Sequence, residues 1–307
     1  MKYIITILIC FISLNNAFCQ GSKTSKDNKI EIENLNSYKY YLSGLNINYL
    51  WSIDKAKDKL FDIFENSPRY YKDMAFDEFM EFVIKVQGAI DDEISSGSYD
   101  EDQLRSLSAI KDYPSEETVE YIKTLNENIS QKSLELLKEI NQYSFMLYVE
   151  DGPIFVVWGS FRYIRKNFSD FISINSREYY SMAIEDAPLV WGAGINIEIK
   201  ELVKRIVRDE EFLNRKGLTP NITTILNCYI ASCMSLLFCG LDLTPSFNYE
   251  NQSLNEEFKK AYEYAIYNFP NSPRCQEIKS YYTILKKNNF ERTQQVEDYL
   301  YNLGYCL

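Results

Sequence analysis

From Asn46 onward, apolar residues recur at intervals of three and four, the period that gathers side chains on one face of a helix. No other feature constrains the fold of this chain as strongly. Scarcity of turn residues reinforces it: 11 glycines and 8 prolines in 307 residues are too few for an all-β protein, which needs a turn about every ten residues. Phe76, Phe79, Met80, Val83, Val86, Ile90 and Ile94 form one stripe, with Glu78, Glu81, Lys85, Asp91 and Asp92 largely outside it. Phe161, Ile164, Phe168 and Phe171 make a second, and Ile199, Leu202, Val203, Ile206 and Leu213 a third. The third ends at Arg215 and Lys216, which oppose the negative end of the helix dipole, and at Gly217, suited to a left-handed C-cap.

A further helix opens with Thr219 as N-cap and Pro220 at its first position, and runs through Ile225, Tyr229 and Leu236 to Cys239 and Gly240. It is apolar nearly all round and is expected at the centre of the core. Ser253 and Glu256 have capping-box spacing ahead of the stripe Leu254, Phe258, Ala261, Tyr262, Ala265 and Phe269. Short connections place such helices antiparallel. The expected fold is therefore all-α: antiparallel helical hairpins in a solenoid-like stack or an irregular bundle. It spans 37–307 as one helical domain, subdivided near 150.

Residues 145–158 admit two readings. The apolar runs Phe145–Val149 and Ile154–Trp158 flank Glu150-Asp151-Gly152-Pro153. Pro153 can begin a helix that continues the stripe Ile154, Val157, Trp158, Phe161 and Ile164, and this is the preferred reading. The alternative is an α+β fold with a hairpin at 145–158, because β-branched residues around Asp-Gly also make hairpins. The pattern returns 35 residues on, at Glu185-Asp186-Ala187-Pro188 before Trp191-Gly192, a spacing suited to a two-helix repeat.

The N-terminus reads as a secretory signal peptide over residues 1–19. Lys2 precedes the apolar run Ile4–Leu14, and the small residues Ala17 and Cys19 fit cleavage before Gln20. Bulky Phe18 disfavours a lipid anchor at Cys19. The apolar run is shorter than the ~20 residues that span a bilayer, and no transmembrane segment is expected elsewhere. Residues 20–36 are polar and read as a flexible tether. The chain is thus expected to be exported, to the periplasm, the cell surface or the medium. Cleavage leaves Cys228, Cys233, Cys239, Cys275 and Cys306, an odd number, so at least one thiol stays unpaired or links two chains. Cys275 and Cys306 are the candidate disulfide.

The chain contains no histidine, which removes Ser-His and Cys-His mechanisms and imidazole metal sites. No cofactor and no metal are expected. A net charge of −11 without a Lys/Arg cluster argues against nucleic acid as a partner. The catalytic candidates are carboxylates: Glu150, Asp151, Glu185 and Asp186, each pair near a Pro and a Trp, the setting in which glycoside hydrolysis raises the pKa of its acid and stacks sugars. Adjacent acids before Pro also describe a solvated helix end, and that reading is preferred. Trp158, Trp191, Tyr179 and Tyr180 are the binding candidates, since 25 tyrosines are many for one chain and neighbouring rings on a helix point about 100° apart.

Within residues 253–307, Ala261-Tyr262-Glu263-Tyr264-Ala265-Ile266-Tyr267-Asn268-Phe269-Pro270-Asn271-Ser272-Pro273 resembles the end of a tetratricopeptide second helix and its turn. Tyr281–Lys287, the turn Asn288-Asn289-Phe290 and Glu291–Leu303 resemble the helix pair that follows, without the small Gly/Ala positions of a well-formed first helix. The resemblance implies a stack of helical hairpins offering a groove to a peptide or protein, with no catalysis. The expected function is binding of a protein partner by an exported, non-enzymatic helical protein. The alternative is a carbohydrate-active protein that binds or hydrolyses glycans.

Overall fold

The computed structural model describes residues 26–108, 130–149 and 153–305. The fold is predominantly helical, with small two-stranded sheets. The chain forms two compact units, one of residues Gln20–Asp186 and one that takes in Ala187–Leu307. The division falls after Asp186 and not near 150, because two paired strands straddle that point.

The first unit contains α1 (Lys26–Ser43), α2 (Trp51–Phe64), α3 (Arg69–Glu93) continuing into a π-helical turn (Ile94–Ser98), α4 (Glu101–Ser108) and α5 (Gln131–Gln142). Strands β1 (Phe145–Val149) and β2 (Ile154–Trp158), then α6 (Arg162–Phe168) and α7 (Ile174–Glu185), complete it. Two expectations are corrected here. Part of the expected tether is helix: α1 starts at Lys26 and buries Leu35, Tyr38 and Leu42. Its apolar face is confined to the C-terminal half, which hid the period. Phe145–Val149 and Ile154–Trp158 are paired antiparallel strands and not a helix, with Phe145 opposite Trp158 and Leu147 opposite Val156.

The choice of hairpin has a visible cause in α3. Every apolar residue of its predicted stripe is buried, and polar groups beside that stripe stitch the unit together. Asp73 accepts from the Ser173 amide at 2.7 Å, and Asp77 accepts from the Tyr180 hydroxyl at 2.7 Å. One turn apart, Gln87 Nε2 donates to the Val156 carbonyl at 2.7 Å and Asp91 Oδ1 accepts the Val156 amide at 2.5 Å. Together they hold both backbone groups on the free side of β2 as a neighbouring strand would.

The second unit contains β3 (Val190–Trp191), β4 (Gly194–Ile195), α8 (Ile199–Leu213), α9 (Pro220–Cys239), β5 (Gly240–Leu241), β6 (Thr244–Pro245), α10 (Glu256–Asn268), α11 (Pro273–Lys287) and α12 (Gln294–Leu303). Its core joins Leu202, Ile206, Met234, Phe238, Phe258, Tyr262 and Tyr281. Thr219 caps α9 by accepting from the Ile222 amide, as its position implies. The cap of α10 differs from the capping-box expectation: Asn255 takes the role, accepting from the Glu257 amide, while Ser253 is drawn into a bridge with Glu291. Glu210 of α8 accepts from the Ser272 hydroxyl and the Arg274 amide, placing a carboxylate at the start of α11. By length and composition α9 could cross a membrane, contrary to the expectation that no such stretch follows the N-terminus. In this unit Ile222, Leu226, Ile230, Met234, Leu237 and Phe238 are buried, while its exposed positions are Pro220, Thr224, Asn227 and Ala231.

Candidate functional site

An open cleft of about 480 Å³ lies in the second unit, where the end of α9, the strand-like segment after β6 and α12 converge. Its construction follows from how residues 246–255 run. Phe247 and Ser253 form isolated bridges with Leu254 and Glu291, the Leu254 amide donates to the Phe290 carbonyl at 2.7 Å, and the Arg292 amide donates to Gln252 at 2.8 Å. The α11–α12 turn is pinned to that segment, with Asn289 and Phe290 both at positive φ. The turn aims α12 so that Leu300 and Tyr301 face Phe238 and Phe247 across the opening.

Phe238, Phe247 and Leu300 are buried and supply an apolar floor, whereas Tyr301 stands on the rim, 68% exposed. The polar side is built from one helix start: Arg292 Nε donates to Glu297 at 2.9 Å, and Gln294 Nε2 donates to Asp298 at 2.8 Å. One cation faces two carboxylates, so this wall carries a net negative charge. Next to the floor, Tyr281 packs edge-on against Phe238 with centroids 4.8 Å apart, and its buried hydroxyl has no hydrogen-bond partner among the described residues. Burial pushes the Tyr281 phenol well above its ordinary pKa, against a smaller opposing pull from Arg292. Such a surface can hold an extended segment with apolar and basic side chains. It presents no metal cluster: no group of three acidic or cysteine ligands occurs among the described residues.

The sequence candidates are dispersed. Glu150 and Asp151 lie outside the described residues. Glu185 is the exposed last residue of α7 and Asp186 its C-cap, the placement of a solvated helix end. Trp158 is half-buried with its ring 4.7 Å from Phe145. Trp191 reaches the surface in β3, 36% exposed. Tyr179 and Tyr180 are both buried, which corrects their assignment to a binding face, and the Tyr180 hydroxyl is committed to Asp77. Tyr180 is held well above its ordinary pKa by burial, with the nearby Asp77 charge adding to it.

The disulfide expectation is also corrected at Cys275, which is a buried free thiol. It is Cys239, in the wall of the cleft, that is disulfide-bonded. Cys306 lies outside the described residues. Residues of the cleft wall such as Arg292, Gln294 and Asp298 escaped sequence reasoning because they look like an ordinary exposed first turn. Only the chain reversal at Asn289-Phe290 brings that turn over Phe238, and the pair of positive-φ residues has no strong local signature. No known protein family, curated protein or solved structure matches this chain.

Proposed function

We propose that this protein is exported and acts without catalysis, binding a segment of another protein in the cleft between α9 and α12, at the cell envelope or outside the cell. The observation that carries the reading is the cleft itself: a rigidly framed apolar floor beside a wall with excess negative charge. A basic, amphipathic segment complements both parts, and the acidity of the whole chain favours its approach. The tetratricopeptide-like resemblance of residues 253–307 supports the same use, since stacked helical hairpins bind peptides along a groove. The test is photo-crosslinking from position Tyr301, compared with the still more exposed Tyr267 of α10, in the protein's own host. One reproducible adduct from 301, absent from 267 and lost on Asp298→Lys, supports the reading. Equal labelling from both positions refutes it.

A second reading, carbohydrate binding, has one observation in its favour. The β3–β4 and β5–β6 turns are joined by the Leu243 amide donating to Ala193 at 3.0 Å, and Tyr249 donates from its hydroxyl to Asp242 at 3.3 Å. Trp191, Leu243 and Tyr249 thus share an exposed surface of the kind that stacks on sugar rings. Loss of glycan retention on Trp191→Ala would favour it over the peptide reading.

A further inference from the structure

We infer that the turn before α2 is a binding platform for neutral saccharide, built by Tyr49 and Trp51 with Asn46 and Asn48. It lies in the first unit, apart from every residue considered above, and it stands whether or not the cleft binds a peptide.

The two rings stack nearly parallel, 18° between planes and 5.7 Å between centroids. Even so, Tyr49 stays 52% and Trp51 51% exposed, an unusual cost for so much aromatic surface. Each ring stacks on the other while about half of each residue stays open to solvent. Their positions are rigid. The Asn48 amide donates to Asn46 Oδ1 at 3.0 Å, and the fully buried Ser52 hydroxyl donates to the Asn46 carbonyl at 2.6 Å. Leu50 and Ile53, on either side of Trp51, are sunk in the core. A stacked pair fixed this way is pre-organised and loses little freedom when a ligand arrives.

The chemistry of the surroundings selects the ligand. Charged residues make up 25% of the chain, yet Tyr40 to Ile53 contains none. Long-chain lipid would need a groove, and a base stacked here would bring a phosphate toward a chain of net charge −11. A pyranose ring carries an apolar C–H face for the aromatic pair and uncharged hydroxyls around its edge. Asn46 and Asn48, both exposed, carry carboxamides within a few residues of the rings, with the Asn46 Oδ1 already accepting the Asn48 amide. That combination of flat aromatic face and neutral amides matches an uncharged sugar better than a charged partner.

The test uses the full chain and hexasaccharides of glucose, mannose, xylose and N-acetylglucosamine, followed by isothermal titration and saturation-transfer NMR. One series is expected to bind, with Trp51→Ala and Tyr49→Ala each weakening it by roughly tenfold or more. Trp51→Phe should recover most of the loss, and Trp191→Ala should leave binding unchanged. Exposure of both rings makes misfolding of these variants an unimportant explanation, and unchanged circular dichroism checks it. The inference is overturned if no hexasaccharide binds the unmodified protein, if binding survives Trp51→Ala, or if Trp191→Ala abolishes it. It is overturned equally if a uronic or sulfated oligosaccharide binds better than the neutral ones, or if Trp51 is protected by a protein in place of a sugar.

Discussion

Asp91→Asn should make the first unit more stable, by an amount that depends on pH. Asp91 sits where the α3 helix meets β2, its Oδ1 accepting the Val156 amide. Burial pushes its pKa up from 3.8 to about 7, the Val156 bond pulls it partly back, and neighbouring Asp92 adds to the rise. A carboxyl whose folded pKa is raised contributes its stability below the unfolded value and loses it as pH climbs to the folded one. Between about pH 4 and about pH 7 the folded unit therefore loses about 1.4 kcal/mol per pH unit relative to a chain without this group, at most about 4 kcal/mol in total. Above about pH 7 both states are ionised and the loss levels off. Asparagine keeps an acceptor for Val156 and cannot ionise. The variant and the wild type should match near pH 4, diverge as pH rises and run parallel above about 7. Gln87→Ala removes the companion bond to the Val156 carbonyl and should cost about 1 kcal/mol at every pH.

The assay is hydrogen exchange of the β1–β2 peptides across this pH range, with urea titrations at its two ends. Exchange of the Val156 amide reports the clamp itself. Stability curves of wild type and Asp91→Asn that stay parallel from pH 4 to 8 would sink the argument. So would an asparagine variant that is less stable at pH 8, because the carboxylate would then be a net asset.

Four further outcomes follow from the packing. Tyr180→Phe removes one hydroxyl donor from buried Asp77 and should lower stability by about 1–3 kcal/mol in urea titration, where no change would mean this hydrogen bond contributes nothing net. Gly240→Ala forces a side chain at φ 69°, with its Cβ 2.4 Å from the Ser246 nitrogen and 2.5 Å from the Thr244 oxygen, so a loss of about 2 kcal/mol or more is expected. Gly88→Ala, in the middle of α3 with open space around it, should instead raise stability by about 0.5–1 kcal/mol; thermal melts separate the two. Cys275 should resist alkylation in the native protein and react on unfolding, because burial raises its thiol pKa, with Ser272 opposing and Glu210 assisting. Rapid native labelling read by mass spectrometry would contradict that burial.

Local signals served well where one element carries its own instructions. The bounds of α8 and α9, the Thr219 cap and the stripe on α3 are all written in residues a few positions apart. The hairpin was harder, since Phe145–Val149 and Ile154–Trp158 suit a strand or a helix equally. What tips the balance is a pair of side chains on α3, Gln87 and Asp91, more than sixty residues upstream in the chain. Asp91 itself falls outside the apolar stripe of its helix, and only docking against β2 shows it to be a partly buried acceptor. Tyr179 and Tyr180 failed as surface candidates for the same reason: both are buried in the folded unit, with the Tyr180 hydroxyl on an Asp77 that lies 103 residues earlier.

By itself the amino-acid order determined that this chain is mostly helix, that it lacks imidazole chemistry and that it is acidic enough to repel polyanions. Those properties depend on composition and on spacings of three or four, which are local. Tertiary structure decided which polar groups are spent inside, which aromatic rings stay outside and where a cleft opens. Each of those outcomes depends on backbone hydrogen bonds and ring contacts between segments far apart in the chain. Their energies compete with solvation only once the core has formed, and no short stretch of sequence carries that balance.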